Sequence, residues 1–370
     1  MTQFRNYQHQ EFNFIPEMNI LYGPNGSGKT TILEAVHCLT LSKSFKASYD
    51  KNLVKHDTDF YQLEGEFSRD DETDVIQLNY VSNQGKKLFI NKIEQDRLSS
   101  IVGRYPVVTL TPEDSEITFG PPTNRRSYID KMMSQASEEY LKLLIQLQSV
   151  LKQRNAILQD AADRADNAVN ETLISVYDDH LIDLSKTIEL QRTAFFQEYR
   201  EYFQSIYQTL NGEQKSARIR FSPSVAYEND AQFTEEFRES LARRRNQEIA
   251  FRRTMVGPQS DIIEFYLNEN QLREYGSQGE HKLFLVALKL AEGRYIAEKL
   301  NRAPIYLFDD LFAELDIEHS AQIIDALDER GQILITSTDL SDVRHHGIDI
   351  DGESIQVLDI SKVTAGEVTA

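Results

Sequence analysis

The chain has 370 residues, of which 40% are hydrophobic and 27% charged, and it contains only 16 glycines and 9 prolines. A chain of this length and composition folds into about two domains of ~150 residues with sizeable cores, which excludes a low-complexity chain and a small disulfide-bonded scaffold. The formal net charge of −19 repels a polyanion at long range. A nucleic-acid site on this chain therefore needs a local concentration of basic residues.

The first 115 residues show the pattern of short strands separated by turns. Apolar or alternating segments occupy residues 19–22, 75–81 and 87–90, and the last of these follows the turn sequence Asn83-Gln84-Gly85. These segments predict a mixed β-sheet.

The middle of the chain is predicted to be helical. No glycine or proline occurs from Ser127 to Leu210, and apolar residues recur there at helical spacing. The polar and acidic stretch 159–170 is the predicted point of reversal, which gives a short antiparallel helical arm. Beyond it we expect a strand at 218–222 and a helix at 232–253, before Gly257-Pro258 interrupts the chain.

The last hundred residues alternate between helical and strand patterns. We expect a helix at 280–299, a strand at 304–308, a helix at Ile317–Asp328 and a strand at 332–337. This alternation is typical of βαβ units and of a mostly parallel sheet with right-handed crossovers.

The strongest motif lies between the strand 19–22 and a helix that begins at Thr31. It matches the phosphate-loop pattern G-x-x-x-x-G-K-[ST] and comprises Gly23, Pro24, Asn25, Gly26, Ser27, Gly28, Lys29 and Thr30. Its glycines allow successive backbone N–H groups to surround phosphate oxygens, and the helix N-terminus adds a partial positive charge. We expect Lys29 to contact the β- and γ-phosphates and the Thr30 hydroxyl to bind Mg²⁺.

A second motif is the apolar strand 305–308, which ends in two carboxylates. Asp309 is suited to bind a metal ion or its water, and Asp310 is suited to orient an attacking water molecule or accept its proton. A buried strand with a solvated acidic end is the alternative for this segment alone. Together with the phosphate loop, it is interpreted as a Walker B element.

A third motif, Ser277-Gln278-Gly279-Glu280, precedes the helix 280–299. A helix cap explains these residues, and a second phosphate site at a helix N-terminus explains them as well. Because the chain already has one phosphate loop, such a second site would act on the nucleotide of another subunit.

With these three motifs and the long helical insertion, the sequence resembles the RecF family of recombination mediators, which is related to the chromosome-maintenance branch of ABC ATPases. Further family landmarks cover nearly the whole chain: Phe4-Arg5-Asn6-Tyr7, Lys43-Ser44-Phe45-Lys46, Pro112-Glu113-Asp114, Gly120-Pro121-Pro122, Thr254-Met255-Val256-Gly257-Pro258 and Leu288-Lys289-Leu290-Ala291-Glu292. We therefore expect an α/β fold in which an ABC-type P-loop ATPase head, residues 1–115 and 256–370, has a mixed or parallel sheet. A mainly helical domain, residues 116–255, is inserted between the two head segments.

The resemblance implies ATP and Mg²⁺ as cofactors and a weak, DNA-stimulated ATPase that dimerises head to tail when ATP is bound. It also implies binding to single-stranded, double-stranded and gapped DNA, with RecR as partner and with RecO and RecA in the same pathway, so that RecA loading and the SOS response are promoted. No membrane partner is implied.

The resemblance also assigns roles to residues. Lys29 and Asp310 are catalytic, and Thr30 and Asp309 hold the metal ion. The remaining nucleotide contacts are assigned to the phosphate loop with Thr31, to Ser277 and Gly279 acting in trans, to Asp316 after Glu314-Leu315, and to Thr338 at a switch position. In the third motif Glu280 departs from the glutamine that is common in the family, and a carboxylate that pointed at a γ-phosphate there would repel it.

Arginines are concentrated at positions 243–253, on the predicted helix 232–253. Arg244, Arg245 and Arg252 are candidates for contacts with DNA phosphates, since Arg245 and Arg252 are seven residues apart and share a helix face. The alternative is a solvated face whose arginines pair with Glu239 and Glu248. The residue types leave both alternatives open.

The single cysteine, Cys38, cannot form an intramolecular disulfide, and no leader pattern or apolar stretch of about 20 residues is present. These features predict a cytoplasmic protein. Two other functions fit the phosphate loop, namely the ATPase subunit of a membrane transporter and an architectural DNA clamp without turnover. The long insertion argues against the first, and the two carboxylates argue against the second.

Overall fold

The computed structural model describes residues 1–69, 72–166, 168–211, 215–227, 229, 231–311 and 331–363. The chain divides into two compact units. The first comprises Met1–Ser115, Ile206–Gln214 and Ser277–Ala370, and the second comprises Glu116–Ser205 and Lys215–Gly276.

The strands, in chain order, are β1 Thr2–Phe4, β2 Tyr7–His9, β3 Met18–Tyr22, β4 Phe60–Arg69, β5 Glu72–Val81, β6 Gly85–Ile90, β7 Ile93–Glu94, β8 Val107–Leu110, β9 Ala217–Ser222, β10 Ile262–Leu267, β11 Asn270–Gln271, β12 Ile305–Phe308, β13 Ile333–Ser337 and β14 Ile355–Asp359. The helices are α1 Lys29–Leu41, α2 Glu116–Phe119, α3 Pro122–Ala136, α4 Glu138–Asp163, α5 Glu171–Asn211, α6 Phe233–Phe251, α7 Leu272–Tyr275, α8 Gln278–Leu300 and α9 Leu340–His345.

The first unit contains a parallel sheet with the strand order β14-β3-β13-β12-β8. Its inner strands β3, β13 and β12 are largely apolar and buried, as expected of a sheet that is covered on both faces. Leu21, Leu307 and Leu334 from three of these strands pack with Leu33 of α1 in one buried cluster. Because β3, β12 and β13 are neighbours and parallel, the segments that follow them emerge at the same edge of the sheet.

A second sheet in this unit is antiparallel, with the order β2-β1-β4-β5-β6-β7. Leu63, Leu78 and Leu88, one from each of β4, β5 and β6, are completely buried in its core. The single mixed sheet expected for residues 1–115 is therefore corrected: β3 and β8 join the parallel sheet, and the other strands of this region form the antiparallel one. Sequence alternation alone does not show which strands pair.

The second unit is mainly helical and includes the small antiparallel sheet β11-β10-β9. The predicted reversal at 159–170 falls between α4 and α5. The region 127–210 contains three helices, since Ser137 ends α3 and caps α4, where its side chain accepts a hydrogen bond from Tyr140 N at 3.2 Å. The predicted helix Ile317–Asp328 lies outside the described residues.

Two arginines with almost no exposure organise the interior of the second unit. Arg154 donates to Asp178 at 2.7 Å and to Glu248 at 2.6 Å, and its own side chain is 0% exposed. Arg192 donates to Asp261 at 2.5 Å and to Asp130 at 2.7 Å. Burial of a charge is costly unless it is paired and hydrogen-bonded, and each guanidinium meets this condition with two carboxylates.

The described part of the chain contains no helix that is both long enough and apolar enough to span a bilayer.

Candidate nucleotide site

The phosphate loop follows β3 and leads directly into α1. Its glycines adopt φ angles of +153° at Gly23, +81° at Gly26 and +101° at Gly28, a region in which side chains are strained. At Gly28 a Cβ atom would also lie 2.5 Å from Tyr7 Oη and 2.9 Å from Asn6 Nδ2. The loop therefore requires glycine for its backbone conformation and for the close approach of the Asn6–Tyr7 turn.

Burial shifts the pKa values of two side chains at this loop, Tyr7 and Lys29. Burial raises the pKa of the Tyr7 phenol to about 12. Lys29 is 8% exposed, and its Nζ donates to the carbonyl oxygens of Gly23 at 2.6 Å and Pro24 at 3.0 Å. Burial lowers the pKa of Lys29, while the nearby Asp309 and Asp310 act in the opposite direction. The ammonium group is thus held at the centre of the loop by two backbone oxygens.

The loop and the acidic strand end meet at Thr30 and Asp309. The Thr30 hydroxyl donates to the Asp309 carboxylate, with both Oδ atoms at 2.9 Å, although the two residues are 279 positions apart in sequence. A hydroxyl and a carboxylate are the oxygen ligands that Mg²⁺ prefers. The structure therefore brings together the two residues that the sequence proposed as metal ligands.

Thr336 on β13 is a site residue that the sequence analysis missed. Its hydroxyl donates to Asp309 Oδ1 at 2.7 Å and accepts from the backbone N–H of Asp310 at 2.9 Å. Asp310 has a φ of +56°, which is uncommon for a residue other than glycine. One buried hydroxyl thus fixes both the Asp309 carboxylate and the backbone that carries Asp310. A threonine directly after the apolar run 333–335 was the only signal for it.

Thr338, which was assigned to a switch position, is placed differently from Thr336. Thr338 is exposed and follows the last residue of β13, Ser337. The backbone N–H of Gly23 donates to Ser337 O at 3.3 Å, so the end of β13 is attached to the start of the phosphate loop. Thr31 is partly exposed in the first turn of α1, and Asp316 lies outside the described residues.

The Ser277–Glu280 segment forms a capping box at the start of α8. The Ser277 hydroxyl accepts from Glu280 N at 3.3 Å, and the Glu280 carboxylate accepts from Ser277 N at 2.7 Å. Glu280 is therefore folded back onto the helix cap. Gly279 is exposed, and a Cβ there would meet no atom within 4 Å, so the described fold itself does not require a glycine at this position.

The arginines at 243–253 are largely engaged in ion pairs. Arg245 donates to Asp178 at 2.7 Å and Arg243 to Glu239 at 3.4 Å, and Arg252 forms a salt bridge with Asp163 at 2.7 Å. Arg244 is exposed and forms no ion pair with the described residues. Glu248, which the sequence offered as a partner of this cluster, pairs instead with the buried Arg154. Arg243, Arg245 and Arg252 are thus all ion-paired in this structure, but only Arg243 is paired with one of the two predicted glutamates, Glu239.

The residues present fit a nucleotide with Mg²⁺. The loop offers backbone N–H groups at the positive end of the α1 dipole, and Thr30 with Asp309 offers oxygen ligands. Among the described residues no cluster of three or more His, Cys, Asp or Glu side chains could hold a metal ion alone.

Comparison with known proteins extends the local pattern to the whole chain. Residues 1–346 match the family model described as the RecF/RecN/SMC N-terminal domain. The chain is 36% identical to the DNA replication and repair protein RecF of Salinibacter ruber, with 91% of this chain and 83% of that protein covered. It is 33% identical to the protein of the same name from Geobacillus kaustophilus, with 100% and 98% covered.

Solved structures give the same result. A structure of the recombination mediator protein RecF-ATP in the RecFOR pathway superposes with a TM-score of 0.84 at 26% identity, covering 91% of this chain and 90% of that one. An Smc head bound to the C-winged helix domain of ScpA superposes with a TM-score of 0.53 at 17% identity, covering 93% and 89%, and shows the likeness of fold alone. The predicted fold class, an α/β ATPase head with a helical insertion, is confirmed. The chain belongs to the RecF family, within the larger family of RecF/RecN/SMC N-terminal domains.

Proposed function

We propose that this protein is an ATP-dependent, DNA-binding recombination mediator of DNA replication and repair, and a slow ATPase stimulated by DNA. The observation that carries the proposal is the hydrogen bond between Thr30 and Asp309, which joins a phosphate loop to a Walker B carboxylate in one site. ATP supplies the phosphoryl group and Mg²⁺ neutralises charge on it. The relatives named above are DNA replication and repair proteins, which supports the DNA part of the proposal.

At the site, the residues of this chain act by binding and positioning. The N–H groups of the loop and the Lys29 ammonium bind phosphate oxygens, and Lys29 exchanges its two backbone carbonyl partners for them. Thr30 and Asp309 would hold the metal ion, which would neutralise charge on the phosphates. Asp310 orients the attacking water and accepts its proton, with its backbone fixed by Thr336. A third group that contacts the γ-phosphate from the side opposite the loop would complete the site.

We propose that a second copy of the chain supplies this third group through Ser277 and Gly279. Both residues are exposed at the N-terminus of α8, a 23-residue helix, where the partial positive charge favours phosphate. The absence of a steric or conformational need for glycine at 279 supports a role in contact with another molecule. ATP then binds between two copies arranged head to tail, and hydrolysis releases the dimer.

The remaining parts of the proposal concern organisation and partners. The head is proposed to consist of residues 1–115 and 256–370 and the helical insertion of residues 116–255. The compact units differ from these bounds, since residues 256–276 belong to the second unit and residues 206–214 to the first. We propose RecR as the partner, with RecO and RecA loading in the same process; the similarity to a RecF solved in the RecFOR pathway supports the RecR and RecO part of this proposal. The nucleic acid is single-stranded, double-stranded or gapped DNA bound by the ATP-loaded dimer.

Steady-state ATP hydrolysis with and without gapped DNA tests this function. Turnover that rises with gapped DNA is expected. Turnover that is indifferent to DNA would support a transporter-type ATPase, and ATP binding without turnover would support an architectural clamp. Gel filtration with ATP, with ADP and without nucleotide adds the second readout. A dimer with ATP alone is expected, and a monomer in every state would contradict the trans site.

A further inference from the structure

Residues 42–55, between α1 and β4, form a segment that we name the lysine loop. It contains Lys43, Lys46, Lys51 and Lys55 and a single acidic residue, Asp50, in a chain whose net charge is −19. Such a local excess of positive charge on an acidic protein is the condition for binding a polyanion.

A single side chain holds the lysine loop in a compact shape. The Lys86 Nζ donates to Ser42 O at 2.6 Å and forms a salt bridge with Asp50 at 2.8 Å, so the start and the ninth residue of the loop lie close to one ammonium group. Because Asp50 is neutralised by Lys86, it does not offset the four lysines of the loop. The positive charges are thus concentrated on a small surface.

The side chains of the loop that point into solvent combine cations with an aromatic ring. Lys43, Lys46 and Lys51 are exposed, and the described part of the chain forms no salt bridge to them. Tyr49 is 67% exposed, and the Lys51 ammonium lies 5.8 Å from the centre of its ring. Cations beside an exposed ring are the combination with which proteins bind single-stranded nucleic acid, through phosphate contacts and base stacking.

The lysine loop is also connected to the phosphate loop. Arg5 donates to both oxygens of Glu34 at 2.8 Å, and the Ser44 hydroxyl of the lysine loop donates to the same carboxylate. At the other end, Lys55 donates to Asn6 O at 3.0 Å, and the Asn6 side chain limits the space above Gly28. A ligand on the lysine loop therefore contacts a segment that is anchored on α1 and on the turn beside the nucleotide site.

We propose that the lysine loop is a DNA-contact surface of this protein, with Lys43, Lys46 and Lys51 on backbone phosphates and Tyr49 stacked on a base of a single-stranded segment. The inference rests on the proposed function and names the surface that performs its DNA binding. It differs from the sequence-based candidates Arg244, Arg245 and Arg252, of which Arg245 and Arg252 are held by acidic partners.

Two variants of equal charge change test the proposal in the full-length protein. The first replaces Lys43, Lys46 and Lys51 with Gln, and the control replaces Arg243, Arg244 and Arg252 with Gln. Binding of a fluorescent single-stranded oligonucleotide and of a gapped duplex is measured by anisotropy with a non-hydrolysable ATP analogue at increasing NaCl. The lysine variant is expected to lose ~10- to 100-fold in affinity, and its slope of log K against log salt is expected to fall by about 2. The control is expected to bind like the wild type.

Substitutions of Tyr49 provide an independent test of the proposal. Tyr49→Ala is expected to weaken single-strand binding by ~5- to 150-fold, and Tyr49→Phe, which keeps the ring, is expected to retain it. ATP affinity and far-ultraviolet circular dichroism are measured for every variant, and both are expected to match the wild type.

The outcomes separate the inference from the function on which it rests. Wild-type affinity in the lysine variant, or a loss confined to the arginine variant, overturns the lysine loop as the DNA surface while the proposed function stands. Loss of ATP affinity in the lysine variant overturns it too, because the cations then act on the nucleotide. If the wild-type protein binds neither the single-stranded oligonucleotide nor the gapped duplex in any nucleotide state, the proposed function itself is overturned.

Discussion

Replacement of Thr336 by valine removes one hydroxyl from the centre of the site without changing the shape of the side chain. Asp309 then loses a donor at 2.7 Å and the Asp310 N–H loses its acceptor at 2.9 Å. A hydrogen bond to a charged group contributes about 1.5–3 kcal/mol. If this energy is lost from the transition state alone, hydrolysis slows by about 10- to 100-fold, since ~1.36 kcal/mol corresponds to a factor of ten.

The assay is the DNA-stimulated steady-state rate, with kcat and KM separated, together with calorimetric titration of nucleotide. We expect Thr336→Val to lower kcat, and nucleotide affinity to change by less than about fivefold, because the contacts of the phosphate loop remain. Thr336→Ser keeps the hydroxyl and is expected to restore most of kcat. Equal loss in the serine and valine variants, or a valine variant with the wild-type rate, would refute the positioning role.

Four other changes have defined outcomes. Lys29→Arg keeps the charge but not the compact ammonium, so the rate of hydrolysis is expected to fall by ~10- to 100-fold. Nucleotide affinity, measured by calorimetric titration, is expected to fall by less than about fivefold. Glu280→Gln preserves a capping box, so denaturant unfolding should change by less than ~0.5 kcal/mol. The Glu280→Gln variant should also dimerise more tightly in the presence of ATP, because a carboxylate is removed from the proposed phosphate contact. Analytical sedimentation measures this. Arg154→Met leaves the buried Glu248 carboxylate without its cation, while Asp178 keeps Arg245, and is expected to destabilise the protein by about 3–5 kcal/mol in denaturant unfolding. Burial raises the pKa of Asp74, but three side-chain donors hold it below the usual 3.8. The stabilisation by Asp74 is therefore present above pH 3.8 and lost on acidification, so the stability difference from Asp74→Asn should shrink below that pH.

Each of these changes has a result that would contradict its reasoning. For Lys29→Arg it is complete loss of nucleotide affinity in a folded protein, which would make Lys29 a ground-state binding group. For Glu280→Gln it is weaker dimerisation. Arg154→Met combined with Glu248→Met should be less destabilising than the single change, and simple additivity would argue against the buried pair. For Asp74→Asn the contradicting result is a stability difference that does not depend on pH.

The local parts of the site could be predicted from the sequence because the residues that form each part are contiguous in the chain. The loop from Gly23 to Thr30 requires glycine at fixed offsets, and the Asp309-Asp310 pair follows an apolar strand, so both patterns are visible in a few residues. The parallel order of the strands around them follows from the βαβ alternation. The helices α6 and α8 were predicted nearly at their observed ends because their apolar spacing is long and regular.

Features that depend on pairing between distant residues could not be predicted in this way. Thr336 acts through a neighbouring strand, and a threonine at the end of an apolar run has no distinctive pattern. The two sheets formed by residues 1–115 and the ion pairs of Arg245 and Arg252 depend on which segments come together in three dimensions. The break at Ser137 between two helices was missed because serine as an N-cap interrupts no apolar periodicity.

Complementation between two inactive variants tests the central claim most directly, namely that one ATP site is built from two copies of the chain. Lys29→Ala removes the phosphate-loop cation and Ser277→Arg blocks the proposed trans contact, so each variant alone should hydrolyse ATP poorly. In an equal mixture half of the dimers are mixed and each of these has one intact site, which predicts recovery of about a quarter of the wild-type DNA-stimulated rate. A mixture no more active than its components, or a Ser277→Arg variant with the wild-type rate, would contradict the claim.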